Sequence, residues 1–125
     1  MKRIIQISIL LFFSVSFCGI PFNQINLGEI TSHAATLSVA QQIKNINAPL
    51  SAKNKAAKFW IAMHESGGSY TARNGNCYGR YQLLITYLHG NYSAVNQEKV
   101  ANEYVKGRYG SWIKAKKFWQ IHHWY

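Results

Sequence analysis

Trp60-Ile61-Ala62-Met63-His64-Glu65-Ser66-Gly67-Gly68-Ser69-Tyr70 is the stretch whose reading decides the fold. It continues a helical pattern that begins near Ser51, a residue type that caps helix N-termini by accepting backbone N–H bonds. Ala56, Phe59, Trp60 and Met63 fall at i, i+3, i+4 and i+7 and make one apolar face. Lys53, Lys55 and Lys58 fall mostly on the other side. Gly67-Gly68 then supplies the stop. Glu65 is thereby placed in the last turn of the helix.

That position has a physical consequence. The C-terminal end of a helix carries partial negative charge and disfavours an ionised carboxylate. Apolar neighbours such as Trp60 and Met63 add a desolvation penalty. Both effects raise a carboxyl pKa. A carboxyl that keeps its proton at neutral pH can serve as a general acid in glycoside cleavage. The same position also suits a surface glutamate near a helix end.

Downstream, residues 66–82 are rich in Gly, Asn, Ser and Tyr, and Asn74-Gly75 is a turn signal. A short hairpin or an ordered loop is expected there, closing on Gly79-Arg80-Tyr81-Gln82-Leu83. A short helix is expected over residues 83–88, and His89-Gly90-Asn91 makes a turn. Ser93 caps a helix to about Lys106, with Gly107 just past its end. Val100, Ala101, Tyr104 and Val105 give that helix an apolar side; Glu98 and Glu103 read as solvated. Ser111 caps a last helix from Trp112 to about Gln120, with Trp112, Ala115 and Trp119 on one face. Lys114, Lys116 and Lys117 are mostly solvated. The closing His122-His123-Trp124-Tyr125 is expected to pack, because exposing Trp124 wastes ~1.5–3 kcal/mol of burial or more.

Upstream, Lys2 and Arg3 precede an apolar run over residues 4–17, and Ser32 and Ala34 have the spacing of a signal-peptidase site. Residues 1–34 are expected to be a signal peptide. The run is shorter than the ~20 residues of a membrane span. An uncleaved anchor is the alternative, and bulky Phe17 weakens a lipoprotein reading through Cys18. Residues 35–50 read as a linker with at most one helical turn near residues 39–43, and residues 51–125 as one domain.

Cleavage leaves 91 of the 125 residues, with nine Lys and three Arg against three Glu, a formal +9 and no aspartate. This excess favours polyanionic partners. Export directs the expectation to anionic cell-wall polymers and away from nucleic acid. Cys77, alone after cleavage, makes no internal disulfide and reads as a small apolar filler. His64-Glu65 fails the zinc-protease pattern, because the position four after His64 is Gly68. Neither a metal nor a cofactor is expected.

His64-Glu65-Ser66-Gly67-Gly68-Ser69-Tyr70, the Asn74-Gly75 turn and Gly79-Arg80-Tyr81-Gln82-Leu83 together resemble the lysozyme-like superfamily. Glu-Ser followed, after a Gly/Asn-rich loop, by Gly-x-x-Gln is shared by soluble lytic transglycosylases and resuscitation-promoting factors. The likeness extends furthest, over residues 55–125, to the C-terminal domain of aggregation-promoting-factor-like surface proteins of lactobacilli. It includes Tyr104-Val105-Lys106-Gly107-Arg108-Tyr109-Gly110-Ser111-Trp112 and the Trp124-Tyr125 end. The Ala-Tyr-Asn-Ala-Gly segment common in the transglycosylases has no match here.

The resemblance implies a mainly α, lysozyme-like α+β fold with a groove for peptidoglycan. It makes Glu65 the catalytic acid. It implies that Ser66 orients the Glu65 carboxyl, that Gln82 lines the groove, and that Gly79 permits a close approach. Tyr81 matches an apolar position of the cluster. Tyr70, Tyr78, Tyr81, Tyr109 and Trp112 are candidates for stacking on sugar rings; Phe59, Trp60, Phe118 and Trp119 are expected in the core. Two-carboxylate glycosidases need a second acid near the first, and none is evident. A single-acid mechanism is therefore expected, in a secreted, wall-associated monomer with no stable membrane span once cleaved. The alternative is a non-catalytic surface protein that promotes adhesion or aggregation through wall binding. An antimicrobial action on membranes fits less well, because the charges scatter over several helices.

Overall fold

The computed structural model describes residues 36–125. The expected signal peptide and Cys18 lie outside the described residues. Four α-helices carry the architecture: α1 (Val39–Asn47), α2 (Ala52–Ser66), α3 (Ala94–Tyr109) and α4 (Trp112–His122). Between α2 and α3 stand three two-residue strands, β1 (Arg73–Asn74), β2 (Cys77–Tyr78) and β3 (Leu83–Leu84), and a 3₁₀ turn over Ile85–Leu88. This is a mainly α domain with a small antiparallel sheet.

The caps decide where the helices begin. Ser38, Ser51, Ser93 and Ser111 each accept a backbone N–H from the third residue on, satisfying a donor that the first turn leaves free. At the far end of α2, Gly67 adopts φ 63° and its N–H closes on the carbonyls of Ala62 and Met63. Helix α3 runs through Gly107 and ends at Gly110, φ 80°, instead of stopping near Lys106. The added turn brings the Tyr109 ring against Phe118, 5.3 Å between centroids, and that packing outweighs the weak helix preference of glycine.

The expected linker is corrected: it contains α1, which packs against α3. The expected apolar face of α2 is also displaced. Ala57, Lys58, Ile61 and Ala62 are the buried residues, while Phe59 is 58 % and Met63 44 % exposed. At ~100° per residue the expected and the buried sets are centred on nearly opposite sides of the helix. Small residues (Ala57, Ala62, Ala101, Ala115) bring α2, α3 and α4 close around Ile61, Val105 and Trp112.

The cause of the rotation is polar. Lys58 is buried, and its Nζ lies 2.6 Å from Glu98 Oε2. Lys58 also donates to Asn47 Oδ1 at 2.7 Å and Asn102 Oδ1 at 2.8 Å. Glu98 accepts from the Tyr70 and Tyr81 hydroxyls at 2.7 Å each and from Asn47 Nδ2 at 3.0 Å. Glu98 and Lys58 are therefore not solvated. Burial alone would raise the Glu98 pKa, but the Lys58 charge and the converging donors hold it below the usual carboxylate value.

The hairpin forms where expected. Strands β1 and β2 pair Arg73 with Tyr78 and Asn74 with Cys77, leaving Gly75-Asn76 as a two-residue turn. Gly75 leads that turn with φ 57°, a conformation glycine adopts without strain. Strand β3 then pairs Leu84 with Cys77 and Leu83 with Tyr78. The helix expected over residues 83–88 is thus a strand followed by a 3₁₀ turn.

Candidate active site

Glu65 sits in the last turn of α2, half-buried. Its Oε1 accepts the indole N–H of Trp119 at 2.5 Å, from the C-terminal half of α4. Burial pushes the Glu65 carboxyl above its ordinary pKa; the Trp119 hydrogen bond and the nearby His64 draw it back only in part. Beside it, the His64 ring stacks on Trp60 at 3.6 Å between centroids, and Trp60 meets Trp119 edge-on at 5.1 Å. Glu65 is thus held against an aromatic wall from two helices.

On its other side Glu65 opens onto a cavity of about 230 Å³. The remaining lining comes from Asn74 and Cys77 of the hairpin, Gln82 of the loop, and Trp124 and Tyr125 after α4. Gln82 adopts φ 46°, unusual for a side chain with a Cβ. Its Nε2 donates to the carbonyls of Ala72, at 3.2 Å, and Gly79, at 2.9 Å. These bonds fix the amide at the cavity wall and repay part of the backbone strain.

The other residues expected at the site go elsewhere. Ser66 does not touch the carboxyl: its Oγ bridges Ala62 O at 3.2 Å and Arg80 O at 2.7 Å, tying the end of α2 to the Gly79-Arg80-Tyr81 loop. Tyr81 and Trp112 are core residues, 3 % and 2 % exposed. Tyr70 turns its hydroxyl to Glu98 and lines a separate hollow with Ile43, Lys55 and Phe59. Tyr109 packs among Tyr104, Phe118 and Tyr125. Tyr78 packs edge-on against Tyr92 at 4.9 Å. A close approach does occur at Gly79, φ 81°, but the approaching group is the Gln97 amide, with which a Cβ here would collide.

Trp124, Tyr125, Asn74 and Cys77, which line the cavity, and Trp119, which bonds Glu65, are the residues that the sequence did not assign to the site. Trp119 shares the Trp112-Ala115 stripe and so read as core; the stripe leaves the core at its end and reaches Glu65. Tyr125 packs as expected for the aromatic terminus, donating its hydroxyl to Tyr81 O at 2.8 Å. Trp124 does not, remaining 49 % exposed at the cavity rim.

Chemically, the cavity offers one side-chain carboxyl, two amides of which Gln82 is fixed by hydrogen bonds, one thiol and an aromatic rim. Among the described residues, no second side-chain carboxylate lines it. Glu98 is enclosed in its own network, and Glu103 lies in a different depression, beside Tyr87 and His89. Among the described residues, no three His, Cys, Asp or Glu side chains cluster as a metal site would require. Searches against protein-family models, curated proteins and solved structures gave no match.

Proposed function

We propose that this protein is an exported peptidoglycan-cleaving enzyme of lysozyme-like fold, with Glu65 as its single general acid and base. The observation that carries this reading is the Glu65 carboxyl itself. It is half-buried at a helix end, bonded to Trp119, raised in pKa, and open to a cavity with no other side-chain carboxylate among the described residues. A glutamate helix followed by a short antiparallel sheet across the cavity supports the lysozyme-like assignment.

In this mechanism protonated Glu65 gives its proton to the glycosidic oxygen between N-acetylmuramic acid and N-acetylglucosamine. The bond from that oxygen to C1 breaks, and the substrate's own acetamido oxygen stabilises the positive charge at C1. The sugar's 6-hydroxyl then attacks C1 while the Glu65 carboxylate takes the hydroxyl proton. The enzyme is regenerated and a 1,6-anhydro end is formed. Water attacking in place of the 6-hydroxyl makes the same site a lysozyme. A solitary carboxyl favours the intramolecular attack, since the nucleophile is already held by the substrate.

Mass spectrometry of fragments released from purified peptidoglycan tests the reading. Anhydro ends identify a transglycosylase and reducing ends a lysozyme. Wall binding without any released fragment would overturn the enzymatic reading in favour of adhesion.

A further inference from the structure

Away from the Glu65 cavity, helices α2 and α4 form another hollow, of about 330 Å³. Its floor is apolar and low: Ala56 and Ala57 from α2, Ile113 from α4. Its rim is cationic: Lys53 from the first turn of α2, Lys116 and Lys117 from α4. The spacing explains why these residues line one hollow. Lys53, Ala56 and Ala57 are at i, i+3 and i+4 on α2, and Ile113, Lys116 and Lys117 repeat that spacing on α4.

None of these three lysines has a carboxylate partner among the described residues, where both ion pairs converge on Glu98. The charge of the hollow is therefore uncompensated from within the described chain. Lys116 also holds its Nζ 4.9 Å from the centre of the Trp60 ring, so the seam runs on into the aromatic wall behind Glu65. From Lys53 to Glu65 the helix rises ~18 Å at 1.5 Å per residue.

We infer that the α2–α4 seam is a docking site for a soluble phosphodiester polymer, such as a poly(glycerol phosphate) chain. Three lysines lining one hollow supply point charges that bind a phosphate in any rotation. The rim carries no guanidinium, so it holds an anion by point charge and not by a bidentate fork. A membrane surface is the poorer fit. Membrane-seated helices insert large apolar side chains, and here the floor is two alanines and a half-buried Ile113. Docking needs no catalysis at Glu65 and stands apart from the enzymatic reading.

The test is fluorescence anisotropy of the full-length protein with labelled poly(glycerol phosphate), across a salt series. The variant carrying Lys53→Gln, Lys116→Gln and Lys117→Gln should bind at least ~10-fold more weakly and lose about 2 from the slope of log Kd against log salt. The three Lys→Arg changes should retain binding, and so should Glu65→Gln. A control with Lys44→Gln, Lys99→Gln and Lys106→Gln removes the same charge elsewhere and should lose less than twofold. Equal losses in the two Gln triples would overturn the site, leaving only net charge. Tighter binding to phosphatidylglycerol vesicles or to a single-stranded oligonucleotide than to the polymer would overturn the choice of partner.

Discussion

The indole N–H of Trp119 meets the carboxylate of Glu65 across 54 positions of sequence, joining the last turn of α2 to the C-terminal half of α4. The bond gives Glu65 a fixed direction and lowers the cost of its ionised form. Trp119→Phe keeps the ring and removes the donor. A hydrogen bond to a charged group contributes ~1.5–3 kcal/mol, so the cleavage rate is expected to fall by ~10- to 150-fold. The Glu65 pKa should rise further, because a bond that favours the charged form has gone. In a pH–rate profile, the limb on which activity falls as Glu65 loses its proton should move to higher pH. An unmoved limb would remove Trp119 from the account.

The raised Glu65 pKa also bears on stability. The folded state holds this proton more tightly than the unfolded state, so the contribution is fully present below the unfolded value near 4.5 and is lost as pH rises through the folded value. Glu65→Gln removes the buried charge. The variant is expected to melt at a higher Tm than the parent at pH 7, with the gap closing toward pH 4. Calorimetry at the two pH values checks both the sign and the closure.

Glu98 carries the opposite sign. Its folded pKa is lowered, so its stabilisation is present above the unfolded value near 4.5 and disappears as pH falls through the folded one. Breaking the Lys58–Glu98 pair by Glu98→Gln is expected to cost ~3–5 kcal/mol in urea unfolding at neutral pH. Replacing both partners together, Lys58→Met with Glu98→Leu, should recover part of that loss, since the buried ammonium goes with its carboxylate, while Arg80, whose Nε lies 3.6 Å from Glu98 Oε1, still loses its partner. A double variant as unstable as Glu98→Gln would contradict a loss dominated by the unpaired lysine.

Cys77 lines the Glu65 cavity from β2, half-buried. Alkylation by iodoacetamide adds a polar group to a space of only about 230 Å³. Activity should be lost in step with modification, and soluble glycan fragments should slow both. Cys77→Ser should stay active and resist the reagent. Full activity after complete alkylation would mean that the glycan does not occupy this cavity.

Much of this arrangement is legible locally. The serine caps at Ser51, Ser93 and Ser111, the Gly67 stop, the turn led by Gly75, and the placement of Glu65 at a helix end all follow from signals within a few residues. The phase of α2 does not. Apolar periodicity selects the face bearing Phe59 and Met63, but Lys58 is drawn inward by Glu98, 40 positions away, and rotates the helix about its axis. The same distance in sequence hides the site's aromatic wall. Trp119, Trp124 and Tyr125 reach Glu65 only once α4 lies on α2. Tyr81 and Trp112 looked like sugar platforms because an aromatic ring suits a core and a groove equally well, and only packing separates them.

The central claim is that one carboxyl performs the cleavage, and a direct comparison of the protein with its Glu65→Gln variant on purified peptidoglycan tests it. Gln is close in size but cannot give or take the proton. A positioned acid–base group contributes ~10²–10⁴-fold, so the account predicts that fragment release falls by about that factor, with wall binding unchanged. Equal fragment release by the two proteins would contradict it.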